Sequence, residues 1–275
     1  MQLARTRAQL LRVIWLESSR STNAELRELA LSDRADVPHG TLLATADQTA
    51  GRGRLAREWI TPSGTALACS MLIRGFGAAG LPLSWLPLLA GSAVAAALQP
   101  LFGEGMRVGV KWPNDVHVRT EADAEVGGAG LKLCGILCEM LPGGDVVVGF
   151  GINLLVPEWE LPTDRATSVL AAGGEVGAAE TVADPLGEDL ADRVLAAAAG
   201  ELLRLVDDAA RVPDAVRTRV LRHSLTVGSE VRVHLPGGEI VDGFARGLAD
   251  DGSLMVDLPT GGQLTVSAAD IEHLR

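Results

Sequence analysis

From Gly75 to Gly103 the chain carries no charged residue. A run of that length could span a bilayer. Two arrangements can use it: a helix in a membrane, or a helix enclosed by a globular core. Pro82, Pro87 and Pro100 punctuate the run, and its centre, Trp85 to Gln99, is rich in alanine. That pattern favours a buried core helix. The chain has 275 residues and is 47% hydrophobic, enough for the surrounding core. Met1 to Arg12 shows arginines with no apolar stretch behind them, so no secretory signal is expected.

Around this helix the pattern alternates in the manner of strands. Val13 to Glu17, Thr41 to Asp47, Gly64 to Arg74, Met106 to Lys111, Asn114 to Val118, Leu131 to Met140 and Asp145 to Leu154 read as strands. Glycine-rich turns near Gly127-Gly128 and at Gly143-Gly144 predict hairpins joining the last three. Helices are expected over Ala24 to Ala30, Leu186 to Ala210 and Asp214 to His223, with residues 171–185 as a surface loop. Thr22 with Glu25 three residues later fits a capping box. The fold class is therefore α+β: a mixed, largely antiparallel sheet flanked by helices. After Ser224, Val231, Val233 and Leu235 alternate with polar residues, and turn signals recur at 236–238, 250–252 and 260–262. This predicts a small C-terminal all-β barrel. The expected domains are 1–223 and 224–275.

A net charge of −11 argues against a general nucleic-acid binder. Cys69, Cys134 and Cys138 sit in apolar company, as reduced thiols do, and suggest a cytoplasmic protein. No metal-binding spacing of Cys and His occurs.

The basic residues are unevenly chosen. Of 24, only Lys111 and Lys132 are lysine, which leaves 22 arginines. Lys111 opens Lys111-Trp112-Pro113-Asn114-Asp115, and Lys132 lies in an apolar strand, where an ammonium needs a partner. An ammonium is a compact charge that approaches a phosphate or carboxylate closely. Gly51-Arg52-Gly53-Arg54-Leu55-Ala56-Arg57 places three arginines in six residues. The glycines let backbone N–H groups converge on an anion, and the arginines match its oxygens. Trp59 can stack on a ring or cover an aliphatic tail. No P-loop or dinucleotide fingerprint is present.

In this order the pieces resemble the biotin protein ligases, in the form without an N-terminal DNA-binding domain. The carrying residues are Ser21-Thr22-Asn23, Gln48 with Gly51-Arg52-Gly53-Arg54, Trp59, the Lys111 to Asp115 run, Lys132 with Gly135-Ile136-Leu137, and Gly149-Phe150-Gly151-Ile152-Asn153. Residues 225–274 resemble the family's SH3-like domain, and the catalytic domain would resemble class II aminoacyl-tRNA synthetases.

The resemblance implies that biotin attacks the α-phosphate of ATP, with Mg²⁺ present, to give biotinyl-5′-adenylate and pyrophosphate. The acyl group then passes to a lysine of a biotin carboxyl carrier protein domain in a biotin-dependent carboxylase. Lys132 and Arg52 would be catalytic. Ser21, Thr22, Asn23, Gln48, Gly51, Arg52, Lys132 and Gly135 would bind biotin. Arg54, Arg57, Trp59, Lys111, Asn114, Asp115 and Asn153 would bind ATP or the adenylate, Asp115 being the residue that could reach Mg²⁺. No DNA or membrane partner is implied, and the protein would be a monomer or weak homodimer. Three departures stand out. The loop has Leu55-Ala56 where the family usually has a glycine before the third arginine. The 116–131 stretch is long and reads as an extended hairpin. Val266 stands near the point where some relatives carry an arginine that reaches ATP. The rivals are a lipoate or octanoate ligase of related fold, and a non-catalytic binding module built on the C-terminal barrel.

Overall fold

The structure is a computed structural model that describes residues 1–32, 36–235 and 237–274; of Ala56 it describes the backbone only, and Pro236, in the first C-terminal turn, lies outside the described residues. Nine strands precede the C-terminal region: β1 (Val13–Trp15), β2 (Leu42–Thr45), β3 (Gly51–Arg52), β4 (Glu58–Trp59), β5 (Ala66–Ile73), β6 (Met106–Lys111), β7 (Asp115–Thr120), β8 (Leu131–Met140) and β9 (Val146–Asn153). Seven of them form one sheet, in the order β1-β2-β5-β9-β8-β7-β6. Only β1 and β2 pair in parallel; every other neighbour is antiparallel. The small β3–β4 hairpin stands apart from it.

Both faces of the sheet are covered, and the two-residue strand period sorts the side chains. Leu67, Cys69, Met71 and Ile73 of β5 and Val146, Val148, Phe150 and Ile152 of β9 point into the main core. That core also takes Leu86, Leu89, Ala93 and Val94 of α3 (Leu86–Leu98) and Leu190, Leu195 and Leu202 of α5 (Pro185–Arg211). Leu72 and Val147 face the other way, against Leu26 and Ala30 of α2 (Thr22–Ser32). With its flanking 3₁₀ turns, residues 83–101, α3 is apolar and long enough to cross a membrane, yet 61% of its apolar window is buried in the fold. The core reading of the uncharged run accounts for it.

Several local structures differ from expectation. Asp192, on α5, accepts the Thr6 N–H at 2.9 Å and the Arg5 N–H at 2.8 Å, which fixes the unpredicted α1 (Ala4–Gln9). The 116–131 stretch is not a plain hairpin. Thr120 caps a short helix, α4 (Glu121–Glu125), in a reciprocal capping box with Asp123. The 171–185 loop is held down by Val176, Ala179 and Val182, all buried.

After α6 (Pro213–His223) come β10 (Glu230–His234), β11 (Ile240–Leu248), β12 (Leu254–Asp257), β13 (Gln263–Val266) and β14 (Asp270–His273). They form an antiparallel sheet ordered β13-β12-β11-β10-β14. Among the described residues no pairing joins β13 to β14, so the expected barrel is open in its hydrogen bonding. This sheet is clamped to the larger one. The Trp85 indole N–H donates to Asp250 O at 2.8 Å, that of Trp112 to Gly252 O at 3.1 Å, and the Trp112 backbone N–H to Thr226 Oγ1 at 3.0 Å.

Candidate active site

On the α2 side of the sheet the side chains thin out. Ala68, Gly135, Gly149 and Gly151 border a cavity of about 690 Å³. Two of these glycines are required by what packs against them. A Cβ on Gly149 would lie 2.2 Å from Asn23 Oδ1, and one on Gly151 would lie 2.6 Å from the Trp59 ring. Every site residue singled out from the sequence except Gly51 faces this cavity. Gly51 pairs with Trp59 behind the wall, where a Cβ would strike Trp59 O at 2.4 Å and Gln48 Nε2 at 2.5 Å.

One end is neutral and polar. The Thr22 N–H donates to Gln48 Oε1 at 2.8 Å, which leaves the Gln48 amide nitrogen free of that bond. The expected capping box is not formed. Ser21 precedes the first helical residue, Thr22, and Glu25 accepts from Ser19 Oγ at 2.6 Å instead of reaching back to Thr22. Thr22 is thereby left to the cavity, to Gln48 and to Ser70. Both Asn23 Nδ2 contacts run inward, to Leu137 O at 3.2 Å and Glu139 Oε2 at 2.7 Å, and its Oδ1 accepts from Ser70 Oγ at 2.6 Å.

The other end is cationic. Lys132 reaches the cavity because β8 is irregular. His117 pairs with Lys132 and Val116 with Cys134, so Leu133 is an extra residue opposite β7. In an unbroken strand, residues 132 and 135 would face opposite sides. The bulge brings them together: a Cβ on Gly135 would lie 3.3 Å from Lys132 Nζ. Lys132 Nζ lies 2.7 Å from Asp115 Oδ1, the partner that a lysine in an apolar strand requires. Lys111 Nζ donates to Ile271 O at 2.6 Å, in β14. Burial pulls its pKa down, more than the nearby Asp115 raises it. In the arginine loop, Arg54 donates to Asn114 Oδ1 at 2.9 Å and Arg57 pairs with Asp270 of β14. Arg52 is exposed on the loop and faces the cavity. Leu55, at its turn, holds a left-handed backbone with φ 56°.

Asn153 closes a third side. Its Nδ2 donates to Thr167 O at 2.9 Å, while its buried Oδ1 has no hydrogen-bond partner among the described residues. A buried acceptor without a donor is costly unless a ligand supplies one.

Sequence reasoning missed His117, Arg165, Asp270 and Glu272, which also face the cavity. Burial, and then the charge of Lys111, pulls the His117 pKa down to about 3. Arg165 lies 3.5 Å from Glu272. No spacing could reveal Asp270 and Glu272, because β14 meets the cavity only through the docking of the two sheets, and His117 on β7 and Arg165 lie in sequence with no distinguishing pattern. Val266 is buried in the C-terminal sheet, and Asp270 to Glu272 stand at the cavity instead.

Comparisons with known proteins agree with this arrangement. Residues 15–153 match the model of the biotin/lipoate A/B protein ligase family, and residues 226–274 that of the biotin protein ligase C terminal domain. A biotin--[acetyl-CoA-carboxylase] ligase of Mycobacterium tuberculosis is 37% identical over 256 residues, 93% of this chain and 86% of that protein. One from Paracoccus denitrificans is 32% identical over 258 residues, 91% of this chain and 96% of that protein. A solved biotin protein ligase from Aquifex aeolicus, in complex with biotin and ATP, superposes with a TM-score of 0.70 at 25% identity, covering 96% of this chain and 100% of that one.

Proposed function

Because the chain belongs to the biotin/lipoate A/B protein ligase family, we propose that its cavity joins biotin to ATP and delivers the acyl group to a protein lysine. It is a biotin protein ligase, with biotin and ATP as substrates. The division of labour among its residues is the proposal.

The observation that carries it is the meeting of the Lys132–Asp115 pair and the arginine loop on one cavity with a neutral far end. A carboxylate is already nucleophilic at neutral pH, so the first step needs no protein base. It needs two anions held in line and cations to offset the crowded charge. Lys132 and Arg52 serve there. Ser21, Thr22 and Gln48 sit where a ring offering two N–H groups and a carbonyl would meet both donors and acceptors. Trp59, backed by Gly151, covers the ligand and keeps water from the mixed anhydride. Arg54, Arg57, Lys111 and Asn114 surround the nucleotide. Asn153 offers its unpartnered oxygen to a donor, as the exocyclic amine of adenine would be.

The donor set suits Mg²⁺ arriving with ATP. Among the described residues no group of three or more His, Cys, Asp and Glu could hold a metal unaided. Mg²⁺ commonly takes one or two carboxylates together with substrate phosphates, and Asp115 would be that carboxylate. When bound, the ion would neutralise phosphate charge. The acceptor would be a lysine of a biotin carboxyl carrier protein domain. Pyrophosphate release by the purified chain tests this. It should require biotin and ATP together and stay at background with lipoate or octanoate. Release with lipoate, or none with biotin, would overturn the proposal.

A further inference from the structure

Behind Ser21 and Thr22 lies a row of side chains that the steps above leave unused. Glu139 Oε2 stands 2.7 Å from Asn23 Nδ2. Ser70 Oγ lies 2.6 Å from Asn23 Oδ1 and 2.8 Å from Thr22 Oγ1. Ser70, Thr22 and Asn23 are exposed by only 0%, 4% and 6%. We propose that Glu139 is a positioning residue which, through Asn23 and Ser70, makes the Thr22 hydroxyl an acceptor toward the ligand ring. The inference rests on reading this end of the cavity as the site of the biotin ureido ring.

The number of hydrogens on each group sets the direction of every bond in the row. A carboxylate accepts and cannot donate. Facing it, the Asn23 amide must turn its nitrogen toward Glu139, where Leu137 O takes a second N–H. Asn23 Oδ1, which has no hydrogen, then faces Ser70. A serine hydroxyl has a single hydrogen. The 2.6 Å contact to Asn23 Oδ1 claims it. The 2.8 Å contact between Ser70 and Thr22 must then use the Thr22 hydrogen, unless that hydrogen goes to Gln48 Oε1 at 3.2 Å. Either way it stays inside the protein, and Thr22 presents lone pairs to the cavity. A ureido N–H needs such an acceptor. Were the Asn23 amide turned over, its nitrogen would donate to Ser70. Ser70 would then donate to Thr22, occupying one lone pair and releasing the Thr22 hydrogen. The carboxylate of Glu139, the closer of the two acceptors facing the Asn23 nitrogen, is the main group that forbids that state, with the Leu137 carbonyl beside it.

Biotin affinity, measured by calorimetry on the full chain, tests this alongside single-turnover adenylate formation and thermal midpoints. Glu139→Ala removes the stronger acceptor and leaves only the longer 3.2 Å contact to Leu137 O to hold the amide, which can then turn. Its Kd for biotin should rise about tenfold, the worth of one hydrogen bond. Its rate of adenylate formation at saturating biotin should stay within about twofold of the wild type, because the reacting carboxylate lies at the other end. Glu139→Gln can either accept from the amide or donate to it, so its affinity should fall between those of the wild type and Glu139→Ala. Asn23→Asp opposes two carboxylates and should bind at least about tenfold more weakly. Adding Glu139→Gln to Asn23→Asp supplies an N–H between them, restoring affinity to within about threefold of the wild type. A packing role alone would not predict that rescue. If Glu139→Ala binds biotin like the wild type, or the double variant binds no better than Asn23→Asp, the relay is overturned. Should Glu139→Ala fail to fold, the comparison of the double variant with Asn23→Asp decides. A wild-type chain that binds no biotin overturns the reading of the cavity, and the relay with it.

Discussion

His117 is enclosed beside two lysines, and its Nδ1 lies 3.2 Å from Gly130 O. Its folded pKa, about 3, is far below the ordinary 6.5, so it stays neutral in the fold and takes a proton only when the chain unfolds. Stability is therefore complete above the unfolded pKa and falls as pH drops from about 6.5 toward 3. Between pH 7 and 5 this one side chain should cost about 2 kcal/mol. His117→Asn should flatten that slope, read from denaturant midpoints at the two pH values; an unchanged slope would place the sensitivity elsewhere. Asn153→Ala should weaken ATP about tenfold and leave biotin affinity intact, as paired titrations would show. Equal losses of both would rule out a nucleotide-side role. The lysines were legible because arginine fills nearly every other basic position. His117, Ser70 and Glu139 were not: each sits in an ordinary strand sequence, and its importance comes from neighbours on other strands.

Among the elements, β8 shows where alternation misleads. Its extent matches the strand expected from the sequence, Leu131–Met140. The bulge at Leu133, which decides where Lys132 points, left no mark in the residue pattern. The helix α4 was hidden for the converse reason: its capping box was written in Thr120 and Asp123, but a long stretch between two strands suggested a hairpin. The glycines of β9 were visible as a motif, though not their purpose. Gly151→Ala would push a methyl to within 2.6 Å of the Trp59 ring. The indole must then move, and both biotin and adenylate should bind about tenfold or more weakly with little change in thermal midpoint. Normal affinity in that variant would mean that Trp59 does not cover the ligand. Arg52→Gly should form the adenylate more slowly and release it early, because the loop loses an anion contact. Unaltered retention in a trapping assay would count against a closing loop.

At the scale of the molecule, two sheets meet at the cavity. Trp85 and Trp112 grip the 250–252 turn, and β14 receives Lys111 at Ile271 O and Arg57 at Asp270. Such sharing predicts one unfolding transition. Trp112→Phe removes a buried hydrogen bond worth about 1 kcal/mol, which should lower the midpoint by about 2–4 °C. Two separate transitions would show that the sheets are independent. The existence of a C-terminal β unit could be read from its alternation and turns, but not its docking, since no local pattern encodes a contact between residues 57 and 270. The central claim is that the ammonium of Lys132 neutralises the two reactants as they join. Its most direct test is the single-turnover yield of biotinyl-5′-adenylate by Lys132→Ala, assayed beside the wild type at equal biotin and ATP occupancy. The rate should fall by about a hundredfold or more with folding preserved; adenylate formed by the variant at the wild-type rate would contradict the account.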